Sequence, residues 1–177
     1  TPTPQHEIPL RLVGSEMCIR DSDTAGRTMM GTTPTAMVEL ISSIPNKPIA
    51  FGANCGTGAP DLLRTVQDFA KSSPNSNLIA KGNAGIPKYV DGQILYDGTP
   101  ELMAKYAVMA RNSGAKIIGG CCGTKPGYIL SIRATLENED LGSFPSLQQV
   151  ELEIGPFSSQ IRKEIKANKS KRRRRRV

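Results

Sequence analysis

Helical segments alternate with short apolar runs through the middle of this chain, and this alternation limits the possible fold more than any other feature. In the predicted helices, apolar residues recur three or four positions apart. The predicted elements are helices at 33–43, 60–70, 99–111 and 127–136, and strands at 49–54, 78–82 and 115–119. Short loops join all of them, which is typical of a parallel β-sheet connected through helices.

Two of the helices begin with the same local signal. Thr33 is followed by Pro34, and Thr99 is followed by Pro100. Threonine caps a helix through its hydroxyl, and proline suits the first turn. In the first helix, four apolar residues fall on one side: Met37, Leu40, Ile41 and Ile44.

Cysteines stand directly after two of the predicted strands. Cys55 follows the strand at 49–54, and the adjacent pair Cys121 and Cys122 follows the strand at 115–119. Loops at the carboxyl ends of parallel strands carry the active site in such folds. The three thiols are therefore predicted to act together.

The spacing of these cysteines differs from that of zinc fingers, in which paired cysteines lie two to four residues apart. Adjacent cysteines in an extended segment point in opposite directions, but glycines on both sides of Cys121 and Cys122 permit a turn that brings both sulfurs onto one ion. Three thiolates favour zinc and leave one tetrahedral position open, as in a catalytic site. Such a centre can bind a substrate thiol, lower its pKa and present it to an electrophilic carbon.

Two other interpretations of the cysteines stay open at this stage. Free cysteines are often buried as small apolar side chains, and a bound zinc could serve a purely structural role. The sole histidine, His6, lies near the start of the chain. This scarcity argues against catalysis by a Ser–His or Cys–His pair.

Residues 1–22 show neither helical nor strand periodicity. The stretch at 10–22 resembles translated adapter sequence, so residues 1–22 are predicted to be a non-native leader, with a disordered native N-terminus as the alternative. Either interpretation excludes Cys18 and His6 from the site.

The positive charge of the chain is concentrated at its end. The formal net charge is +7, yet residues 161–177 contain ten Lys or Arg and one Glu, which leaves residues 1–160 mildly acidic. This stretch is predicted to be a disordered tail. It supports an alternative function, an RNA- or polyanion-associating protein that acts through its Arg-rich tail and whose zinc is structural. Without interleaved aromatic residues, sequence-specific recognition is not expected.

No apolar run approaches the roughly 20 residues of a membrane span. Four cysteines with two adjacent make a poor disulfide framework, so the chain is expected to be cytoplasmic.

Three motifs resemble one family in both order and spacing. They are Gly52-Ala-Asn54-Cys55, Asn83-Ala-Gly85-Ile-Pro87 and Gly119-Gly-Cys121-Cys122-Gly-Thr124. Together they closely resemble the zinc-dependent homocysteine S-methyltransferases, which include betaine–homocysteine methyltransferase and the homocysteine module of cobalamin-dependent methionine synthase. The stretch from Asp23 to Thr28 also looks like the loop after the fifth strand of that barrel.

The resemblance implies an α/β fold: the C-terminal part of a (β/α)8 TIM barrel, from the end of strand 5 through helix 8, followed by the disordered basic tail. The expected organisation is a leader at 1–22, a partial homocysteine-binding barrel at 23–137, a linker or short helical extension at 138–160, and the tail at 161–177. The first four strands are expected to belong to a longer parent chain, which activity would require.

The resemblance also implies the chemistry and the site. Cys55, Cys121 and Cys122 would bind Zn2+, and a methyl donor would methylate the thiol of homocysteine to give methionine. Betaine, S-methylmethionine and a methylated corrinoid or folate system are all compatible donors. Because no corrinoid-binding module is visible, betaine or a sulfonium donor is favoured, and betaine is the expected donor. Four residues are candidate substrate contacts: Asn54, Asn83, Gly123 and Thr124. For the two asparagines, satisfying backbone groups in the loops is an equally good interpretation.

Overall fold

The computed structural model describes residues 18–19, 32–55, 58–85 and 87–158, and for Cys18, Ile19, Cys55, Pro87, Lys88 and Ile94 it describes the backbone alone. Most of the predicted leader and all of the predicted basic tail lie outside these residues. Both therefore stay predictions, as does the division into domains. No helix within the described ranges is long and apolar enough to cross a membrane.

The described residues form a mixed α/β fold with a parallel sheet, which confirms the predicted fold class at that level. The strands are β1 (Cys18–Ile19), β2 (Phe51–Cys55), β3 (Leu78–Gly82), β4 (Pro87–Val90), β5 (Gln93–Tyr96) and β6 (Ala115–Gly120). The helices are α1 (Pro34–Ser43), α2 (Ala59–Ser72), α3 (Pro100–Asn112), α4 (Pro126–Asn138) and α5 (Leu147–Ile154).

Four parallel strands build the main sheet in the order β1-β2-β3-β6. The short β1 pairs with the carboxyl end of β2, although it lies within the segment predicted to be a leader. Strands β4 and β5 form a separate antiparallel hairpin between β3 and α3. Helices therefore connect β2 to β3 and, after the hairpin, lead to β6.

The core lies between the sheet and helices α2 and α3. Leu63 and Val66 of α2 are fully buried, and Phe69 packs edge-to-face on Phe51 of β2 with ring centroids 5.5 Å apart. From α3, the side chain of Tyr106 is completely buried beneath β3.

The predicted helix starts are confirmed. The hydroxyl of Thr33 accepts a hydrogen bond from the Ala36 backbone N–H at 3.2 Å, and Thr99 caps α3 in the same way. Of the residues predicted to share one side of α1, Ile41 is buried, whereas the side chain of Leu40 is 56% exposed. Helical periodicity places both residues on one side, but the neighbouring elements cover only the position of Ile41.

The segment that follows α4 is docked on the fold. Helix α5 spans eight residues and starts with a capping box formed by Ser146 and Gln149. The amide of Gln67 on α2 donates to the Pro145 carbonyl at 2.9 Å, and the Asp61 carboxylate accepts from the Ser158 N–H at 3.0 Å. The short helical extension thus lies against α2, the helix that follows Cys55.

Candidate metal centre at the carboxyl end of the sheet

The strands that precede the cysteines end at one level. In the sheet register Cys55 of β2 is paired with Gly82 of β3, and Gly82 is paired with Gly120 of β6. Cys121 and Cys122 follow Gly120 directly. The parallel pairing therefore brings the two cysteine clusters to the same edge of the sheet, as the sequence predicted, with one strand between them.

Residues 121–124, called here the thiol turn, are held by the end of β3. The Cys121 N–H donates to the Gly82 carbonyl at 2.7 Å, and the Ala84 N–H donates to the Cys122 carbonyl at 3.0 Å. Within the turn, the Thr124 N–H donates to the Cys121 carbonyl at 3.2 Å. These backbone bonds fix the position of both cysteine α-carbons.

The turn brings the two sulfurs together. Cys121 Sγ lies 3.9 Å from Cys122 Sγ, and both residues are partly buried. Two thiolates on one tetrahedral zinc, each about 2.3 Å from the metal, are about 3.8 Å apart. The separation in this chain therefore fits two ligands of one ion, and adjacent cysteines do converge here.

Cys55 is the third predicted ligand, and the structure describes its backbone only. It occupies the last position of β2. Among the side chains that the structure describes, no three Cys, His, Asp or Glu groups are arranged to hold a metal. The complete set of three thiols therefore stays a prediction.

Both predicted asparagines contact the thiol turn. Asn54 Nδ2 lies 3.8 Å from Cys121 Sγ and donates to it. Asn83 is 2% exposed, and its Oδ1 accepts a hydrogen bond from the Cys122 N–H at 3.2 Å. Asn83 thus serves the loop backbone, one of the two roles predicted for it. Whether either residue contacts substrate is not tested by these contacts.

Gly123 and Thr124 complete the thiol turn. Gly123 has a φ of +77°, and a Cβ at this position would overlap the Tyr96 ring, so the turn requires glycine. The Thr124 side chain packs on Gly120, and its buried Oγ1 has no hydrogen-bond partner among the described residues. Both predicted substrate contacts therefore also shape the turn.

The β4–β5 hairpin, which carries Tyr96 to this site, was not predicted from the sequence. Its signal was available: Asp91-Gly92 separates two β-rich runs, and such a dipeptide favours a two-residue type I′ turn. The structure has positive φ at both positions, +48° at Asp91 and +81° at Gly92. The hairpin is an insertion between a strand and the next helix. The alternation of helices and strands therefore does not predict it.

Tyr106 was also missed as a residue of the site. Its hydroxyl accepts a hydrogen bond from the Gly82 N–H at 2.9 Å, beside the carbonyl that holds Cys121. Burial raises the pKa of the Tyr106 hydroxyl above its ordinary value, so the group stays neutral. The sequence pattern indicates only that Tyr106 is on the buried face of a helix. Its hydrogen bond to Gly82 depends on how α3 packs against β3.

The comparison with protein families agrees with this geometry. A model described as homocysteine S-methyltransferase matches residues 6–136, well over half of the chain. The chain belongs to the homocysteine S-methyltransferase family, which confirms the resemblance of its three motifs. The match begins within residues 1–22, the segment predicted to be a leader, and includes all three predicted zinc ligands.

Proposed function

We propose that this chain is the C-terminal part of a cytoplasmic, zinc-dependent enzyme that methylates the thiol of homocysteine with betaine as donor and gives methionine. The observation that carries the proposal is the 3.9 Å separation of the Cys121 and Cys122 sulfurs at the edge of the sheet where β2 ends in Cys55. Family membership supplies the reaction class.

Cys121 and Cys122 would hold the metal together with Cys55. Bound there, zinc would supply a position that binds the substrate thiol and favours its deprotonated form. The chain's own part is to fix the sulfurs: β3 holds the backbone of the thiol turn through Gly82 and Ala84. Methyl transfer would form the S–CH3 bond of methionine as a CH3–N bond of betaine breaks and dimethylglycine leaves, with the thiol proton released to solvent.

We further propose that the parallel sheet belongs to a (β/α)8 barrel. The order β1-β2-β3-β6, with helices between consecutive parallel strands, supports this. In such barrels the active site forms from the loops after the strands, which is where the thiol turn lies. The partners of the reaction, homocysteine and the methyl donor, would meet above this edge.

A cytoplasmic location suits the proposal because thiol ligands need a reducing compartment.

Metal analysis of the purified chain tests the proposal. We expect about one zinc per chain, because three thiolates form an open tetrahedral site. Cys122→Ala and Cys55→Ala should each lose the zinc. Ser72→Ala is the control, since Ser72 is exposed at the carboxyl end of α2, and it should keep the metal. A chain that retains zinc without Cys122 or Cys55 would contradict the proposed centre.

The donor requires a separate assay. Zinc-loaded protein of the longer parent chain should form methionine from homocysteine with betaine. Formation from S-methylmethionine or a methylated corrinoid alone would reject betaine while leaving the thiol site intact. Loss of product in the Cys122→Ala parent would link the methyl transfer to this centre.

A further inference from the structure

We infer that Asn54 is a positioning residue that orients the Cys121 sulfur toward the proposed metal. The inference rests on the proposed function, and it assigns Asn54 a role on a ligand instead of on the substrate. Asn54 Nδ2 donates to Cys121 Sγ at 3.8 Å, a contact between residues 67 positions apart in the chain. This bond joins the end of β2 to the thiol turn after β6, across the intervening strand.

The backbone of Asn54 is fixed independently of this contact. It is paired with Lys81 of β3 and with Cys18 of β1 in the sheet register. A short, partly buried side chain on a fixed backbone has few places for its amide. The amide therefore acts as a rigid arm that sets the direction of the sulfur, while the backbone bonds of the thiol turn set only the position of the α-carbon.

The chemistry of the pair favours a ligand sulfur. A neutral thiol is a weak hydrogen-bond acceptor, whereas a thiolate is charged and accepts strongly. The thiolate is the form that binds metal. The two asparagines of the site therefore have different roles. The Asn83 Oδ1 accepts a hydrogen bond from the Cys122 backbone N–H, and the Asn54 Nδ2 donates to the Cys121 sulfur.

Groups that hold a ligand in place affect metal affinity, and their loss commonly costs roughly 10- to 100-fold. In Asn54→Leu, which has a similar shape and no donor, we expect zinc to bind about 10- to 100-fold more weakly. Affinity is measured on the metal-free full chain by competition with a chromophoric chelator. Loaded with Co2+, the variant should also show a shifted sulfur-to-metal charge-transfer band, which a purely structural role would not move.

Asn54→Asp is the second variant, because it preserves size and polarity and replaces the donor with a carboxylate that repels the sulfur. Asn54→Asp should weaken zinc binding at least as much as Asn54→Leu does. If circular dichroism shows that the Leu variant does not fold, the zinc affinity of the Asp variant tests the inference. Asn138→Leu is the matched control. Among the described residues, Asn138 Nδ2 donates within its own helix, to the Ala134 carbonyl at 2.8 Å, so zinc affinity should not change.

Unchanged zinc affinity and an unchanged Co2+ spectrum in both folded Asn54 variants overturn the inference and leave the proposed function standing. A raised homocysteine KM in the parent enzyme, together with unchanged zinc affinity, also overturns it by assigning Asn54 to the substrate. A wild-type chain that binds neither zinc nor Co2+ overturns the proposed function and the inference together.

Discussion

Helices α2 and α4 follow the same local pattern but are packed very differently. Each comes after a strand and a cysteine-bearing turn, and each has a proline in its first turn. Eight residues of α2 are buried, whereas Ile132 is the one residue of α4 that is buried. On α4 the side chains of Ile129 and Leu130 are 44% and 69% exposed.

The difference comes from position in the fold. Helix α2 lies against β2 and β3, beside α1 and α3, and beneath the α5 segment. Helix α4 packs on α3 and lies at the side of β6, which is the end strand of the described sheet. Its strand is exposed as well, since Ile117 is 49% exposed. The same sequence pattern therefore gives a core helix in one place and a half-covered helix in another.

The largest expected effect on stability comes from a substitution in the buried helix α2. Phe69→Ala should lower the free energy of unfolding by about 3–5 kcal/mol, because Phe69 is 1% exposed and its ring rests on Phe51. Urea unfolding followed by circular dichroism measures the change. Leu130→Ala on α4 is the comparison, and its cost should stay within about 0.5 kcal/mol. Similar losses in both variants would show that α4 is as well packed as α2.

A smaller effect should follow from detaching the α5 segment from α2. In Gln67→Leu the Pro145 carbonyl loses its donor inside the fold, which should cost about 1–3 kcal/mol in the free energy of unfolding. Gln148→Leu is the control, because Gln148 is exposed on α5 itself. If the two glutamine variants unfold at the same urea concentration, the segment does not stabilise α2 through this bond.

The smallest expected effect is a gain in stability at the start of the half-covered helix α4. Lys125 is the N-cap of α4, has extended backbone angles and makes no side-chain capping bond. Lys125→Ser should raise the free energy of unfolding by about 0.5–1 kcal/mol, because serine can accept a bond from the first turn. Lys125→Ala removes the same charge without adding an acceptor. Equal stability of the Ser and Ala variants would exclude capping as the cause of any gain.

Much of the fold could be read from local patterns. The predicted helix at 99–111 appears as Pro100–Asn112, capped by Thr99 as expected, and the strand at 78–82 appears at the predicted position. The strand predicted at 49–54 begins later, at Phe51, and Ile49 is 90% exposed. A short apolar run favours a strand. Hydrogen bonding to the neighbouring strand, however, decides which of its residues belong to the sheet.

The site could be predicted in part for the same reason. Parallel strands put their carboxyl ends at one edge, so placing Cys55 and the Cys121–Cys122 pair together needed only the order of helices and strands. The donor on Cys121 could not be predicted, because its partner Asn54 lies 67 residues away. Nor could the contact between Tyr96 and Gly123, since it depends on how the hairpin folds back.

The sequence by itself determined the parallel α/β architecture, the helix caps, the family and the cysteines that are predicted to carry thiol chemistry. These follow from short-range periodicity, from capping chemistry and from motifs that lie within a few residues of one another. The tertiary structure alone decided which helices are buried, that α5 is docked on α2, and that the two adjacent sulfurs lie 3.9 Å apart. Those outcomes depend on contacts between distant segments, whose geometry is set by the packing of whole elements and not by any local run of residues.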